Sequence, residues 1–532
     1  MPDLFHTLLL ASCAKAPHAP ALRYQSKDTD YASLMRQVNQ LASGYLNQGI
    51  ARSERIAIYL EKRPEAVVAM FAASAASAAF VPVNPLLKAE QVAYILADCN
   101  VKILVTSAQR LRSLTQVLAT CPDLHSIIVL DTEIADELEL PATIQSLTWT
   151  QALAAAELAP VAAPCIDADM AAILYTSGST GKPKGVVLSH RNLLAGAASV
   201  SAYLNNQSSD RILAVLPLSF DYGLSQVTTA LSVGACVVLM NYLMPQDIVR
   251  AVTTENITGL AAVPPLWLLL AQQKWPKEST LRYLTNSGGA MPKATLEALR
   301  VLFPAAKIYL MYGLTEAFRS SYLDPDEVDA RPDSIGKAIP GVELIVMNQQ
   351  GQPCAANEAG ELVHRGALVA LGYWNDAEKT AERFRPLPPR LAGLPLPEIA
   401  VWSGDTVRMD EQGFLYFIGR EDDMIKVSGY RVSPSEVEEV VADYTALTEI
   451  AAVGVPHPLM GQAIILVLQQ NAQQSLQVEA IRQHSQQKLP AYMVPAHIQI
   501  VSENLPRNTN GKIDRKSLQT QFQNFFLTSD KA

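Results

Sequence analysis

The sequence has few cysteines and no excess of positive charge, and both absences exclude classes of protein. Only six of its 532 residues are cysteine, and none stands in a Cys-x-x-Cys pair or at another metal-ligand spacing. They fit buried free thiols in a reducing compartment, so we expect a cytoplasmic protein without a cysteine-bound metal. A formal net charge of −9 provides no broad basic surface for nucleic acid or for an anionic membrane.

Apolar segments long enough to span a membrane are also missing. The most apolar stretch, residues 67–80, is shorter than a bilayer-spanning helix and is soon followed by Pro82 and Pro85. The N-terminal run 8–14 follows Asp3 and lacks the basic flank of a signal peptide. We expect a buried helix in the first segment and an amphipathic helix in the second. Neither a nucleic acid nor a membrane is therefore an expected partner.

The composition is that of a folded enzyme. Hydrophobic residues make up 49% of the chain and charged residues 17%. Helical stretches alternate with short β-branched runs, which indicates an α/β fold of layered, mainly parallel sheets. The runs are 54–59, 101–105, 126–130 and 235–239.

The pattern changes twice toward the C-terminus. From about 335 to 417, short strands punctuated by glycines predict a small β subdomain. The polar run 420–423 then predicts a hinge, so we expect an N-terminal core over 1–419 and a small, mobile α+β domain over 420–532. Within that domain, Ser433-Pro-Ser-Glu436 has the residues of a helix start.

The segment Tyr175-Thr-Ser-Gly-Ser-Thr-Gly-Lys-Pro-Lys-Gly185 is suited to a polyphosphate. Glycines let backbone N–H groups approach an anion, hydroxyls donate to phosphate oxygens, and lysines neutralise charge. A Walker P-loop needs a helix at its lysine, but Lys182 is followed by Pro183. A polar turn between two strands is the alternative for this segment taken alone.

Further segments match one family in the same order along the chain. They are Asn286-Ser-Gly-Gly-Ala290, Met311-Tyr-Gly-Leu-Thr-Glu316, Trp402-Ser-Gly-Asp405, the run from Gly419 to Arg431, and Pro506-Arg-Asn-Thr-Asn-Gly-Lys512. With these motifs the chain resembles the adenylate-forming superfamily of acyl-CoA ligases, luciferases and amino-acid adenylation domains. The resemblance spans nearly the whole chain.

The resemblance implies a role for each matching residue. Catalytic roles fall to Thr315, Glu316, Lys426 and Lys512, with Glu316 also holding Mg²⁺ and Asp422 acting as the hinge residue. ATP is bound by a larger set, in which Tyr312 stacks on adenine and Asp405 grips the ribose. The full set is Thr176, Ser177, Gly178, Ser179, Thr180, Lys184, Gly288, Gly289, Ala290, Tyr312, Asp405 and Arg420.

The chemistry that the resemblance implies has two half-reactions. A carboxylate attacks the anionic α-phosphate of ATP, and Lys512 and Mg²⁺ supply cations between the like charges. Pyrophosphate leaves. The C-terminal domain then rotates about Asp422, withdraws Lys512 and presents the 426–430 face, so that a pantetheine thiol attacks the acyl-adenylate.

Phe220-Asp221 bears on the acid that is activated. Amino-acid adenylation domains carry Phe-Asp here, and their aspartate pairs with the substrate ammonium, whereas many acyl-CoA ligases carry histidine in place of Phe220. Asp221 could instead act as a cap or form a salt bridge within the protein. Prolyl-carrier-protein ligases show a similar mixture of motifs, so L-proline on a separate carrier protein is our first expectation. An acyl-CoA synthetase for a fatty or aryl acid is the alternative.

The acid pocket is expected among residues in or beside the motifs. They are Phe220, Asp221, Tyr222, Trp267, Ser287, Met311 and Ser320. Arg319 could line the same pocket and favour a second carboxylate, or could face water.

Overall fold

The computed structural model describes most of the chain with side chains. The described residues are 3–130, 140–154, 164–176, 183–388, 395–420, 424–445, 449–470, 477–507 and 513–527.

Strands occur along the whole of the described chain. In chain order they are β1 (Pro20–Tyr24), β2 (Lys27–Asp30), β3 (Arg55–Tyr59), β4 (Ala79–Pro82), β5 (Val101–Thr106), β6 (Ser126–Val129), β7 (Gln145–Thr148), β8 (Met170–Thr176), β9 (Lys184–Ser189), β10 (Arg211–Ala214), β11 (Cys236–Leu239), β12 (Gly259–Ala262), β13 (Tyr283–Asn286), β14 (Lys307–Tyr312), β15 (Ser321–Leu323), β16 (Ser334–Ala338), β17 (Val342–Met347), β18 (Ala359–Gly366), β19 (Gly372–Tyr373), β20 (Phe384–Pro386), β21 (Ile399–Met409), β22 (Leu415–Arg420), β23 (Ile425–Val427), β24 (Tyr430–Val432), β25 (Ile450–His457), β26 (Gly461–Gln469) and β27 (His497–Val501).

Helices alternate with these strands. They are α1 (Leu8–Lys15), α2 (Tyr31–Asn47), α3 (Pro64–Ala75), α4 (Ala89–Asp98), α5 (Ala108–Leu114), α6 (Trp149–Leu153), α7 (His190–Leu204), α8 (Asp221–Val233), α9 (Pro245–Thr254), α10 (Pro264–Ala271), α11 (Lys293–Leu302), α12 (Ala377–Arg383), α13 (Pro434–Thr445), α14 (Val478–Lys488) and α15 (Arg515–Phe522). Within the described ranges, no helix combines the length and apolar composition that a transmembrane span requires.

Two large sheets form the N-terminal part. One runs β19-β9-β8-β4-β3-β5-β6-β7, and the other contains the parallel neighbours β14-β13-β12-β10-β11-β1. Parallel strands covered on both faces read as continuous apolar runs, and β10, β12 and β13 are buried almost throughout. The α/β fold class expected from the alternating pattern is confirmed.

The glycine-punctuated region forms antiparallel strands that continue the second sheet. β15 pairs antiparallel with β14, β16 with β15, and β22 with β16, and beyond them lie β21, β18 and β17. The region has its own apolar cluster around Leu344, Leu362 and Val407. A local core supports the predicted β subdomain, while the strand pairing ties it to the parallel part of the second sheet.

The C-terminal residues form a separate five-stranded sheet covered by helices. Its order is β24-β23-β26-β25, with β27 parallel to β26. One face packs against α13 and α14, and the other against Leu518 and Phe522 of α15. This is the expected small α+β unit, and α13 begins at Pro434 as the Ser433–Glu436 pattern predicts.

The motif residues come together because the strands before them are parallel. Asp221 follows β10, Ser287 follows β13 and Thr315 follows β14, and these strands share one sheet. The carboxyl ends of parallel strands meet at one edge, where ligands bind in open α/β sheets. We therefore expect the functional site at this edge of the sheet.

Helix α8 is held close to the loop before it. Asp221 lies in the first turn of the helix, where the helix dipole favours a negative charge. The backbone of Gly223 lies so near this loop that an added methyl group would meet the Pro217 carbonyl oxygen at 2.0 Å. Glycine at this position therefore permits the close approach between α8 and the loop that carries Phe220 and Asp221 after β10.

We expect Gly223→Ala to lower the free energy of unfolding by about 1 to 3 kcal/mol, because a backbone carbonyl cannot yield as a side chain can. Urea denaturation measures the change. Gly419→Ala is the matched control, since an added methyl group there has nothing within 4 Å. Equal stabilities of the two variants would contradict the close approach.

Candidate active site

Lys184, Glu316 and Tyr373 form a buried polar cluster where the two sheets meet. The Lys184 Nζ donates to the Tyr373 hydroxyl at 2.7 Å and lies 3.2 Å from the Glu316 Oε1. The Tyr373 hydroxyl donates to the same carboxylate oxygen at 2.7 Å. The phosphate-loop lysine and the Thr-Glu motif, far apart along the chain, thus share one site.

The cluster keeps Glu316 ionised. Burial by itself raises the pKa of Glu316, but the charges of Lys184 and Arg431 and the Tyr373 hydrogen bond hold that pKa well below its usual range. Burial lowers the pKa of Lys184, and Glu316 offsets part of that effect. The Oε2 of Glu316 is buried without a hydrogen-bond partner among the described residues. A carboxylate oxygen of this kind fits a hard cation such as Mg²⁺.

Thr176 marks the start of the predicted phosphate loop. It ends β8, pairs with Lys184 of β9, and has a buried Oγ1 that no described residue hydrogen-bonds. A phosphate oxygen could accept from this hydroxyl. Ser177, Gly178, Ser179 and Thr180 lie outside the described residues, so their predicted role stays a prediction.

The predicted nucleotide residues converge from β13, β14 and β21. The Tyr312 hydroxyl donates to the carboxylate of Asp405, which joins the end of β14 to β21. Gly288 has a φ of +82°, and a methyl group at this position would lie 4.0 Å from the Phe220 ring. Gly289 and Ala290 follow in the same turn. Their roles toward ATP stay predictions, since Tyr312 and Asp405 contact each other whereas Gly288 and Gly289 lie beside Val263 and Pro264.

A buried ion pair lies at the predicted acid pocket. The Arg319 Nη1 is 3.7 Å from the Asp221 Oδ2, and both side chains are at most 5% exposed. The Asp221 Oδ1 accepts from the Tyr222 backbone N–H at 2.8 Å. Burial raises the pKa of Asp221, and Arg319 and this N–H offset only part of the rise. The salt bridge that the sequence analysis gave as an alternative for Asp221 is therefore present. It does not fully offset the effect of burial on the Asp221 carboxylate, whose pKa stays raised.

The other predicted pocket residues are buried beside the pair. Tyr222 and Trp267 both hydrogen-bond to Thr285 of β13, through the Tyr222 hydroxyl at 2.6 Å and the Trp267 Nε1 at 3.1 Å. Met311 accepts from the Tyr203 hydroxyl, and Ser287 is buried at the end of β13. Tyr222 and Trp267 are thus joined through Thr285.

Ser320 contacts a histidine that the sequence did not single out. The His364 Nδ1 lies 3.0 Å from the Ser320 Oγ, and neither residue is exposed. Burial lowers the pKa of His364 to about 3, so the imidazole is neutral at pH 7. His364 comes from β18, across the sheet, and therefore no local pattern could have indicated it. Tyr373 was missed for the same reason.

The hairpin of β23 and β24 lies against the mouth of the pocket. Gly429, at its turn, has a φ of +86°, and an added methyl group would be 2.9 Å from Val263. A cavity of about 120 Å³ is lined by Asp221, Thr315 and Thr176 together with Gly429 and Tyr430. The C-terminal unit is thus docked with its 426–430 face toward the acid pocket.

Glu436 is buried in this docking contact. Its Oε1 accepts from the Gln91 Nε2 of α4 at 2.9 Å, and its Oε2 has no hydrogen-bond partner in the part of the chain that the structure describes. Burial raises the pKa of Glu436 to about 7, although the hydrogen bond from Gln91 acts in the opposite direction. Next to it, the rings of Tyr430 and Tyr492 stack with centroids 4.0 Å apart.

Three predicted functional groups lie beyond what the structure describes. Lys512 and Asp422 are outside the described residues, and Arg420 ends β22 with its side chain outside them. Lys426 lies in β23 with its ammonium 5.9 Å from the Phe417 ring centroid. The roles of all four residues stay predictions.

Comparison with family models identifies both parts of the chain. Residues 9–374 match the model of the AMP-binding enzyme family, and residues 436–512 match that of the AMP-binding enzyme C-terminal domain. The resemblance inferred from the motifs is confirmed.

Individual relatives differ in what their names say they activate. The chain is 29% identical to an L-proline–(L-prolyl-carrier protein) ligase of Pseudomonas fluorescens over 98% of this chain and 99% of that protein. It is 25% identical to a long-chain-fatty-acid–CoA ligase of Bacillus subtilis over 96% and 93%. It is 30% identical to a linear gramicidin synthase of Brevibacillus parabrevis over 96% of the chain, but spans only 10% of that protein's length.

A solved structure shares the fold over nearly its full length. The amide bond synthetase of Marinactinospora thermotolerans superposes with a TM-score of 0.85 at 22% identity, covering 98% of this chain and 99% of the other. At this identity the likeness establishes the fold alone.

We expect Glu436 to contribute less to the stability of the folded state as the pH rises from about 4.5 to 7, because the folded state binds a proton at Glu436 that the unfolded state releases. Glu436→Gln should remove on the order of 3 kcal/mol of this dependence and raise the melting temperature at pH 8. Thermal unfolding between about pH 4.5 and 8 measures it.

The control for that experiment is Glu479→Gln on α14, since Glu479 is exposed and lies in the same unit. The pH profile of this variant should follow the wild type. Parallel profiles for Glu436→Gln and the wild type would contradict the buried, protonated state of Glu436.

Proposed function

Because the chain belongs to the AMP-binding enzyme family and is an adenylate-forming ligase, we propose that it activates an amino acid with ATP and transfers it to a thiol. L-proline is the first candidate, and the phosphopantetheine thiol of a separate carrier protein is the proposed acceptor. The carrier-protein ligase and the gramicidin synthase among its relatives support this choice.

Asp221 carries the proposal for an amino acid. It lies buried at the start of α8, lines the same cavity as Thr315 and Thr176, and has a raised pKa even beside Arg319. A buried carboxylate that is incompletely compensated favours a cationic ligand group. The α-ammonium of an amino acid would supply this cationic group, next to the carboxyl group that reacts with ATP.

The residues around Lys184 suit the adenylation step. The acid carboxylate must approach an anionic α-phosphate, so positive charge and hydrogen-bond donors have to lie between them. Lys184 and the Thr176 hydroxyl are placed to hold phosphate oxygens, and Lys512 is proposed to bridge the two reacting groups. A magnesium ion, when bound, would supply further positive charge to the phosphates, and the Glu316 Oε2, which no described residue hydrogen-bonds, fits it.

A second cavity supports the transfer step. It has a volume of about 1000 Å³ and shares Phe220, Gly429 and Tyr430 with the smaller cavity that contains Asp221. Exposed Leu86 and Leu243 lie on its rim, so it reaches the surface. A long pantetheine arm could enter along this path and present its thiol at the acyl-adenylate while the hairpin is docked.

The second candidate is an acyl-CoA synthetase that uses an amine-free acid. The internal pairing of Asp221 with Arg319 favours it, since Asp221 then already has a cationic neighbour. The fatty-acid ligase among the relatives is consistent with it. Exchange of labelled pyrophosphate into ATP, measured across a panel of amino acids and amine-free acids, distinguishes the two.

We expect amino acids to drive this exchange at rates at least about ten times those of their amine-free analogues, because only the ammonium can pair with Asp221. Exchange driven by amine-free acids alone would overturn the amino-acid proposal. If none of the acids in the panel drives exchange, the adenylation function itself is overturned.

Lys512→Ala should abolish exchange, whereas Lys426→Ala should leave exchange near the wild-type rate and slow thioester formation about 100-fold. Both half-reactions are measured separately, by pyrophosphate exchange and by mass spectrometry of the loaded carrier. The exposed Lys516→Ala is the control, since it lies near Lys512 in sequence. Equal losses of both half-reactions in both variants would contradict the two-conformation scheme.

Asp221→Asn keeps the shape of the side chain but removes its charge. We expect it to raise the KM for the amino acid about 100-fold with little change in the KM for ATP, because only the ammonium contact is weakened. Steady-state kinetics measure both constants. An unchanged amino-acid KM would remove the role proposed for Asp221.

A further inference from the structure

Arg319 is a buried cation whose guanidinium is only partly satisfied by the described residues. The residue is 2% exposed, and its Nε and Nη2 have no hydrogen-bond acceptor among those residues. The carboxylate of Asp221 lies 3.7 Å from Nη1, which is beyond hydrogen-bond length. The guanidinium carbon lies over the Tyr222 ring, 4.6 Å from the ring centroid.

Unpaired guanidinium donors are costly in a protein interior. Leaving a buried charged donor without an acceptor costs more than leaving a neutral one, because the full desolvation penalty remains. An apolar side chain of similar volume would avoid that cost. The missing acceptor is therefore expected from a ligand.

The position of Arg319 indicates which part of a ligand it meets. Its guanidinium lies over Tyr222, whose hydroxyl is bound to Thr285 within β13, and beside Asp221, which lines the smaller cavity. The phosphate-side charges of Lys184 and Glu316 are already paired with each other. Arg319 is thus placed for the part of the acid that points away from the reacting carboxyl group.

The charges of the pair are complementary to a zwitterion. Asp221 is an incompletely compensated anion, and Arg319 is a cation with two donor nitrogens that no described residue satisfies, so the pair as a whole is neutral. A ligand that satisfies both must bring one positive group and one negative group. Planar guanidinium donors bind carboxylates best, often with two parallel hydrogen bonds.

We propose that Arg319 is the specificity-determining residue of this enzyme and that it selects amino acids whose side chain ends in a carboxylate. The inference rests on the proposed amino-acid function and replaces L-proline as its first candidate substrate. The α-ammonium pairs with Asp221 while the side-chain carboxylate accepts from the Arg319 Nε and Nη2. L-proline has no such acceptor, so it would leave the guanidinium unpaired and ranks below L-aspartate and L-glutamate.

Pyrophosphate exchange with a matched set of amino acids tests this proposal in the full-length enzyme. The set is L-aspartate, L-glutamate, L-asparagine, L-glutamine, L-alanine and L-proline, with succinate and glutarate as amine-free acids. We expect kcat/KM for one of the acidic amino acids to exceed that for L-alanine and L-proline at least about 100-fold. The kcat/KM for the matching carboxamide, L-asparagine or L-glutamine, should lie between that of the acidic amino acid and those of L-alanine and L-proline.

Arg319→Met should remove this preference. It removes the donors but keeps an unbranched side chain, so we expect kcat/KM for the acidic amino acid to fall about 100-fold more than that for L-alanine. Arg319→Lys keeps the charge and should retain part of the preference. This second variant also tests the proposal if Arg319→Met does not fold.

Arg282→Met is the matched control. Arg282 also pairs with a buried aspartate, Asp210, but at the end of β13 away from the pocket. We expect it to lower stability without changing the ranking of substrates.

The outcomes separate this proposal from the function on which it rests. If none of the tested acids drives exchange, the adenylation function is overturned. A preference for L-proline or another apolar amino acid that persists in Arg319→Met overturns the role of Arg319 and leaves amino-acid activation intact. Equal loss for every acid in Arg319→Met would show that the guanidinium serves the reacting carboxyl group, which also overturns the selectivity.

Discussion

Negative charge held inside the protein is the constraint on which the site depends. Glu316 and Asp221 are both buried carboxylates, and each requires positive charge nearby to remain in the fold. Lys184 and the Tyr373 hydroxyl both contact the Glu316 Oε1, whereas the Arg319 Nη1 stays 3.7 Å from the Asp221 Oδ2. The two carboxylates therefore differ in how well they are compensated, since the pKa of Glu316 is lowered and that of Asp221 is raised.

Residues that the sequence could identify lie within short motifs. Tyr312 ends β14, Glu316 follows it, and Asp221 begins α8 in the segment after β10. Parallel pairing within the sheet of β10, β13 and β14 then places these segments at one edge. Their assignment needed only local pattern and the order of motifs. The fold class and the start of α13 were predictable for the same reason.

The rest depended on contacts between distant strands. Tyr373 reaches Glu316 from β19, and His364 reaches Ser320 from β18, and neither has a neighbouring motif. The pairing of Asp221 with Arg319 could be stated only as an alternative, because a side chain's direction follows from packing rather than from spacing. The docked position of the C-terminal hairpin likewise depends on Gly429 meeting Val263, which the sequence does not reveal.

The pairing of β1 with β11 has a consequence for how the protein is made. Leu22 lies beside Val237, and the Tyr31 hydroxyl donates to the Ala235 carbonyl oxygen at 2.7 Å. β1 can pair with β2 soon after it is made, but on the ribosome some two hundred further residues must be synthesised before its second partner, β11, exists. Such non-local pairing folds slowly and leaves a strand edge open to other chains. Until Cys236–Leu239 has been made, that edge of β1 has no strand of its own chain to pair with.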